Sequence, residues 1–414
     1  MSRTPRGGQS TRTQVLLAVG FLLALTGAFV AVAVLSFQWL HGDDVTGPSN
    51  LPPLSLVGRE QTVFDYTEDA CSPIDIPDSP ARAFRDGDGQ IHLIASHYVT
   101  RAMVGPTLDT VEHDCRRVMV SDLDGNPARF DDREWITAPY TTDGRTVYAL
   151  VHDEYQGDKH EGVCPPGDYL KCWYNAITLA RSTDGGRTFS HAPPPRQLVA
   201  AVPYRYRPGF GRPYGLFQPS NILFKDDHYY ALIHAEAFEA QARGTCLMRT
   251  TTLDRPDAWR AWDGNGFDVR FVDPYRASGT SGHICAPVAY NQIAGMTESL
   301  TYNTYLERYV LVSPAGTTPP GLREPVWGLY YSTSEDLVHW TTRKLIREAV
   351  LTTSFECGDR NPVAYPSLID PESSSRNFET TGRTPWMYFT RFHYKDCHST
   401  LNRDLVRIRV RFSK

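Results

Sequence analysis

One pattern recurs five times along this chain, and a chain that repeats it is restricted to very few folds. A short apolar opener, usually carrying Pro, Ser or Thr, is followed by a polar turn and then by an aromatic-rich run. The openers are Ala81-Arg82-Ala83-Phe84, Trp135-Ile136-Thr137-Ala138, Pro219-Ser220-Asn221-Ile222, Thr297-Glu298-Ser299-Leu300 and Pro366-Ser367-Leu368-Ile369. The answering runs are 91–96, 147–154, 229–236, 309–313 and 386–391. A recurrence every ~50–85 residues, with β-type segments throughout, reads as the blades of a propeller. The expected fold is all-β, a five-bladed β-propeller over 56–414. In such a fold the first strands of all blades converge on one axial funnel, so polar residues from distant segments meet there.

Blade bounds follow from the repeats: 78–121, 132–191, 217–272, 295–346 and 363–412. The fifth has room for only three strands, the last being the alternating Leu405-Val406-Arg407-Ile408-Arg409-Val410. The run 56–64 is the expected fourth strand, closing the ring from the N-terminal side. With 22 Tyr, 18 Phe and 8 Trp, the chain can fill a large core. A net charge of −5 and no long basic run argue against a nucleic-acid partner.

Residues 15–40 carry no charge and are mostly Leu, Val, Ala and Phe, long enough to span a bilayer. Arg3, Arg6 and Arg12 precede them without an acidic residue, which orients 1–14 to the cytoplasm and the remainder outside. The expectation is a single N-terminal transmembrane signal-anchor with the propeller on the periplasmic or extracellular side; cleavage as a signal peptide, giving a secreted protein, is the alternative. Residues 41–55, rich in Pro, Gly, Asp, Asn and Ser, form a linker. All eight cysteines follow the span, and no CxxC pair occurs, so they read as disulfides and not as a zinc site. Spacing suggests Cys71–Cys115, Cys164–Cys172, Cys246–Cys285 and Cys357–Cys397, among the 105 pairings that eight cysteines allow.

If each first strand runs away from the funnel mouth, each second strand returns to it. The C-terminal ends of the second strands then bring His152, Glu154, His234, Glu236 and Arg391 to the mouth. Alternation puts His152 and Glu154 on one face, and likewise His234 and Glu236. Glu298, an acidic residue inside an apolar opener, is a further candidate, since burial raises a carboxyl pKa and suits a general acid. The segment 155–173, pinned by a local disulfide, is expected on the mouth side. The Tyr/Arg-rich segment 202–208 is a second wall, Tyr155 and Tyr204 offering faces for sugar stacking. Each residue has a structural alternative: a turn cap for Asp78, ion pairs for Glu154 and Glu236, ordinary packing for the histidines and tyrosines.

Three outer hairpins carry recognisable turns. Ser182-Thr183-Asp184-Gly185-Gly186-Arg187-Thr188-Phe189 is a complete Asp-box, a tight turn in which Asp accepts from backbone amides and Gly supplies positive φ. Ser332-Thr333-Ser334-Glu335-Asp336-Leu337-Val338-His339-Trp340 and Thr252-Leu253-Asp254-Arg255-Pro256-Asp257-Ala258-Trp259 occupy the equivalent place in blades four and three.

These hairpins and the Pro-Ser openers resemble the five-bladed propeller glycoside hydrolases of families 43, 32 and 130. The resemblance implies a glycosidase acting on a polysaccharide or glycan, with carboxylates from successive blades facing the funnel. Asp78, in Pro77-Asp78-Ser79-Pro80, resembles the family base, although Ser79 is an insertion. Asp153 or Glu154 would come from blade two, Glu236 from blade three and Glu298 from blade four; Glu298 or Glu236 would be the acid, with His152 and His234 assisting. Arg82 and Arg391 would hold an acidic sugar or an Asp. No cofactor is implied beyond a structural Ca²⁺ at the axis, and no acidic calcium-loop signature accompanies it. A non-catalytic sugar-binding or envelope-scaffolding propeller is the alternative. A sialidase-like enzyme is the second, and it would need at least three arginines converging on the funnel.

Overall fold

The computed structural model describes residues 51–165, 169–277, 279–359 and 361–414. The expected span at 15–40 lies outside the described residues; among those described, no helix is long and apolar enough to cross a membrane.

Five antiparallel units follow one another. Blade one is Arg82–Arg85, Ile91–Ile94, Val99–Gly105 and Glu112–Val120, hydrogen-bonded in that order. Blade two is Arg133–Tyr140, Val147–Gln156 and Trp173–Ser182, with Ser190–His191 and Leu198–Ala200 on its outer edge. Blade three pairs Tyr214–Phe217 and Leu223–Lys225 with His228–Ala235, followed by Gly244–Thr250 and Arg260–Ala261. Blade four is Ser299–Asn303, Arg308–Thr317, Val326–Ser334 and Lys344–Glu348. Blade five is Val363–Ile369, Trp386–Phe392 and Arg403–Phe412.

Inner strands of neighbouring blades touch at four of the five junctions. That of blade one lies against those of two and five, and that of blade four against those of three and five. Blades two and three are joined by a short parallel pairing of Tyr214 with Tyr174 and Gly215 with Asn175. Gly215, at φ +111°, lies so close to the Asn175 backbone that a Cβ would overlap it. Apolar side chains fill the space between blades: Phe84, Ile94 and Val118 meet Ile136, Val151 and Phe189, and Leu232 and Leu247 meet Leu300, Leu311 and Trp340. These contacts make the arrangement a five-bladed propeller with its core between the blades.

The ring closes where the sequence places the closure. Leu54–Phe64 pairs antiparallel with Arg403–Phe412, from Leu54 opposite Phe412 to Phe64 opposite Leu405, with both Leu54 and Phe64 buried. The four cysteine pairs are those suggested by spacing, with Cα separations of 5.6, 6.3, 5.9 and 5.0 Å in chain order.

One opener differs from expectation. Residues 219–222 interrupt the inner strand of blade three instead of forming it. Pro219 has no N–H to give a ladder, and beyond it Ser220 bonds Leu232 twice, its N donating to Leu232 O at 2.8 Å and its hydroxyl accepting from Leu232 N at 2.9 Å in place of a backbone carbonyl.

The outer turns owe their shape to local hydrogen bonds. Asp184 Oδ1 accepts from Ser182 Oγ at 2.7 Å and from Thr188 N at 2.9 Å. Gly185 and Gly186 hold φ +77° and +88°. In blade four, Asp336 Oδ1 accepts from Val338 N and His339 N, and Trp340 Nε1 donates to Leu337 O at 2.9 Å.

Candidate functional site

A polar cavity of about 570 Å³ opens at the funnel mouth, lined by Asp78, His97, Trp135, His152, Glu154, Gln156, Tyr169, Trp173, Phe217, Tyr365, Phe392 and Arg403 among others. Its walls come from blades one, two, three and five. The second strand of blade two supplies one face by alternation, with His152, Glu154 and Gln156 pointing inward. The loop after it, held by Cys164–Cys172, adds Tyr169 and Leu170, and the Tyr169 ring stacks on Trp173 at 4.8 Å.

Asp78 sits in a ring of donors. It pairs with Arg403 and accepts from Trp135 Nε1 at 3.3 Å and Tyr365 OH at 3.4 Å, while His97 Nε2 lies 3.7 Å away. Arg403 is itself seated over the Phe392 ring. Tyr365 occupies a bulge between Ala364 and Ser367 at φ +60°, a conformation costly for a non-glycine residue. The strain lies where the phenol reaches Asp78.

Glu154 sits in a different environment. Its carboxyl is buried, which pushes its pKa up to about 8; the bond donated by Gln156 at 2.9 Å opposes this, and the charge of Asp78 adds to it. Near neutral pH, Glu154 carries a proton at the cavity wall. His152 is pulled the other way. Burial lowers it to about 4, against a bond to Asn175, so the imidazole is neutral. With Nε2 2.8 Å from Asn175 Oδ1, which also accepts from Trp173 Nε1, the assigned tautomer carries its hydrogen on Nε2.

Asp78, His152 and Glu154 are thus together in the cavity, and the other sequence candidates are not. Asp153 points to the opposite face of its strand, where its Oδ1 accepts from Asp132 N at 3.0 Å; burial and the charge of Glu134 raise its pKa. Tyr155 shares that outward parity, is 2% exposed and donates to Gly125 O at 2.7 Å. His234 and Glu236 pair with each other at 2.7 Å, and the Phe217 ring lies 5.9 Å from His234 and 5.9 Å from His152. Burial would raise Glu236, but His234 and Arg243 hold its carboxyl below the usual range. Arg391 pairs with Glu60 of the closing strand. The Tyr204 hydroxyl accepts from Ala240 N at 3.1 Å, outside the cavity.

Buried Arg82 and half-buried Glu298 lie beside each other in a separate place. Arg82 donates to Ser367 Oγ at 3.0 Å and to the Glu298 carbonyl, and burial lowers its pKa to about 9. Burial raises Glu298 to about 8 against the pull of Arg82, and its Oε2 is enclosed without a hydrogen-bond partner. Tyr365 feels the charges of Asp78, Glu154 and Glu298 alike, so this pair lies near the funnel without lining the cavity.

Arg403, Tyr365, His97, Gln156 and Asn175 are site residues without a local sequence signal. Trp135 and Trp173 fall in segments marked by the openers and by the pinned loop. Two groups of described residues have the chemistry to hold a metal: Cys71, Asp75 and His113, whose cysteine sulfur is spent in a disulfide, and Asp131, Glu134 and His191. Neither includes a residue lining the cavity.

No protein-family model matches the chain, and no curated protein matches it by sequence. Among solved structures it is similar to a glycosyl hydrolase from Bacteroides ovatus, at 9% identity and a TM-score of 0.45 over 89% of this chain and 96% of that one. It is similar to the catalytic domain of a Coprinopsis cinerea GH62 alpha-L-arabinofuranosidase, at 11% identity and 0.45 over 87% and 97%. It is also similar to Cellvibrio cellulosa alpha-L-arabinanase complexed with arabinohexaose, at 10% identity and 0.42 over 80% and 90%.

Proposed function

We propose that the chain is a glycoside hydrolase acting on a polysaccharide or glycan in the funnel cavity. One observation carries this reading: the cavity holds two carboxyl groups in opposite environments. Asp78 stands in an ion pair with Arg403, and Glu154 is buried with its pKa pushed up to about 8. Glycoside cleavage needs that asymmetry, one carboxyl to protonate the leaving oxygen and one to attack or to activate water. In this assignment Glu154 gives its proton to the glycosidic oxygen. Asp78, fixed by Trp135, Tyr365 and Arg403, faces the anomeric carbon or the attacking water. The Trp135, Tyr169, Trp173 and Phe392 rings supply faces for sugar stacking. The acid assigned to Glu298 or Glu236 on resemblance moves to Glu154, because neither of the other two lines the cavity.

The test is the pH dependence of turnover on aryl glycosides. Activity falls as pH rises through about 8 and Glu154 loses its proton. Glu154→Gln loses the most activity on substrates with poor leaving groups, which need the acid. A profile without that limb, or equal losses across leaving groups, would remove Glu154 as the acid.

A sugar-binding propeller without catalysis is the second reading. The four groups around Asp78 favour it, because a carboxylate so held can accept from sugar hydroxyls without reacting. Sugar binding without turnover would select it. The sialidase-like reading is disfavoured, as Arg403 is the one arginine lining the cavity among the described residues. We further propose that 15–40 tethers the enzyme to a membrane with the propeller outside the cytoplasm, a placement that the four disulfides favour.

A further inference from the structure

A second polar cluster lies on the face of blade two turned toward blade one. Glu134 and Asp153 oppose each other on its first two strands, Thr178 is on the third and His191 on the outer edge. Asp131 lies two residues before the first strand. Ala149, Val151 and Ala180 share that face and pack with Phe84, Ile94 and Val118 of blade one. The cluster is therefore interfacial and separate from the funnel cavity.

Its hydrogen bonds do not close. The side chains of Asp131 and Glu134 are each 1% exposed. His191 Nδ1 lies 3.0 Å from Ala192 O, which can only accept, so Nδ1 carries the hydrogen. Nε2 then faces Asp131 Oδ1 at 3.2 Å and Glu134 Oε2 at 3.4 Å. A proton on Nε2 serves one acceptor, and the better contact is Asp131. Glu134 Oε2, aimed at the same nitrogen, is enclosed with no hydrogen-bond partner, and so is Asp131 Oδ2. Enclosed carboxylate oxygens without donors are costly.

A cation resolves this. Bonds of ~2.0–2.2 Å from zinc to His and carboxylate atoms correspond to a tetrahedral edge of ~3.4 Å. The two Nε2–oxygen separations match that edge, and the three ligand atoms all lie within 4.8 Å of one another. The supporting contacts are present too. Thr178 Oγ1 donates to Glu134 Oε1 at 3.2 Å, and Ala192 O holds the imidazole in the tautomer that presents Nε2. His191 is 15% exposed, which gives solvent a route in. Two carboxylates and one imidazole suit a borderline transition metal; Ca²⁺ needs six to eight oxygens.

We propose that Asp131, Glu134 and His191 form a site for a divalent transition-metal cation of the zinc class. The ion ties the segment entering blade two to its outer strand. The experiment uses the full-length chain, stripped with chelator and titrated with ZnCl₂ by calorimetry and thermal unfolding, alongside CaCl₂. The expected result is one Zn²⁺ per chain, a raised Tm and no comparable uptake of Ca²⁺. Glu134→Gln, which keeps the shape and the Thr178 contact, weakens binding tenfold or more and abolishes the Tm rise. His191→Gln does the same should Glu134→Gln fail to fold, and Asp88→Asn, at an exposed aspartate, changes neither. Absence of stoichiometric zinc would overturn the proposal and leave His191 as the imidazolium partner of both carboxylates. Binding unchanged in both site variants, or a preference for Ca²⁺, would overturn it equally.

Discussion

Glu154 makes the reading of the cavity testable without a substrate. Its folded pKa of about 8 lies above the ordinary 4.5, so the folded chain holds this proton more tightly than the unfolded chain does. The stability that the proton confers is complete below about pH 4.5. It is lost as pH rises toward 8, and above that the penalty of an ionised buried carboxyl is constant. At ~1.4 kcal/mol per pKa unit, that penalty is on the order of 5 kcal/mol. Glutamine has the shape of the protonated acid and cannot ionise. Glu154→Gln should therefore match the parent in Tm at pH 4.5 and exceed it by about 5–10 °C at pH 9, a chain of this size gaining ~1–2 °C per kcal/mol. Differential scanning calorimetry of both proteins across pH 4.5–9 measures the divergence. An offset that does not change with pH would refute the claim that Glu154 is held protonated, and with it the argument for an acid at this position.

Three further outcomes follow from the packing. Deleting the chain through residue 65 removes the partner of Arg403–Phe412 and the buried Leu54 and Phe64; at ~1.5–3 kcal/mol per buried side chain, thermal unfolding should drop by several degrees at least, and an unchanged Tm would contradict the closure. Gly186→Ala, at φ +88° with Phe84 occupying the space of the new methyl, should cost about 2 kcal/mol or more by denaturant unfolding and leave turnover per folded molecule unchanged. Arg391→Ala breaks a partly exposed pair with Glu60 and should cost under about 1 kcal/mol with full activity, whereas lost activity would return Arg391 to the site.

The fold was legible because its causes are local. The five openers, the missing strand of blade five, the cysteine spacing and the Asp-type turns each follow from a few adjacent residues. The interruption at 219–222 was not, because it depends on the Ser220 hydroxyl taking the place of a backbone carbonyl opposite Leu232 N, twelve residues on. In the site, strand alternation found His152 and Glu154. Applied one residue either side, it sends Asp153 and Tyr155 to the opposite face. The remainder depended on partners far away in the chain. Arg403 meets Asp78 across 325 residues, and Arg391 is taken by Glu60 across 331. Glu236 is neutralised by His234 and Arg243 beside it, a pairing that requires the folded loop. Glu298 sits in its opener as expected, yet Arg82 meets its backbone carbonyl and its side chain does not line the cavity.

The most direct measurement is sugar release by the purified full-length chain from a broad panel of polysaccharides and aryl glycosides, with Glu154→Gln and Asp78→Asn alongside. The account predicts release by the parent at neutral pH and a loss of about 100-fold or more in each variant, with the fold intact. No release from any substrate, or release undiminished in Glu154→Gln, would contradict it.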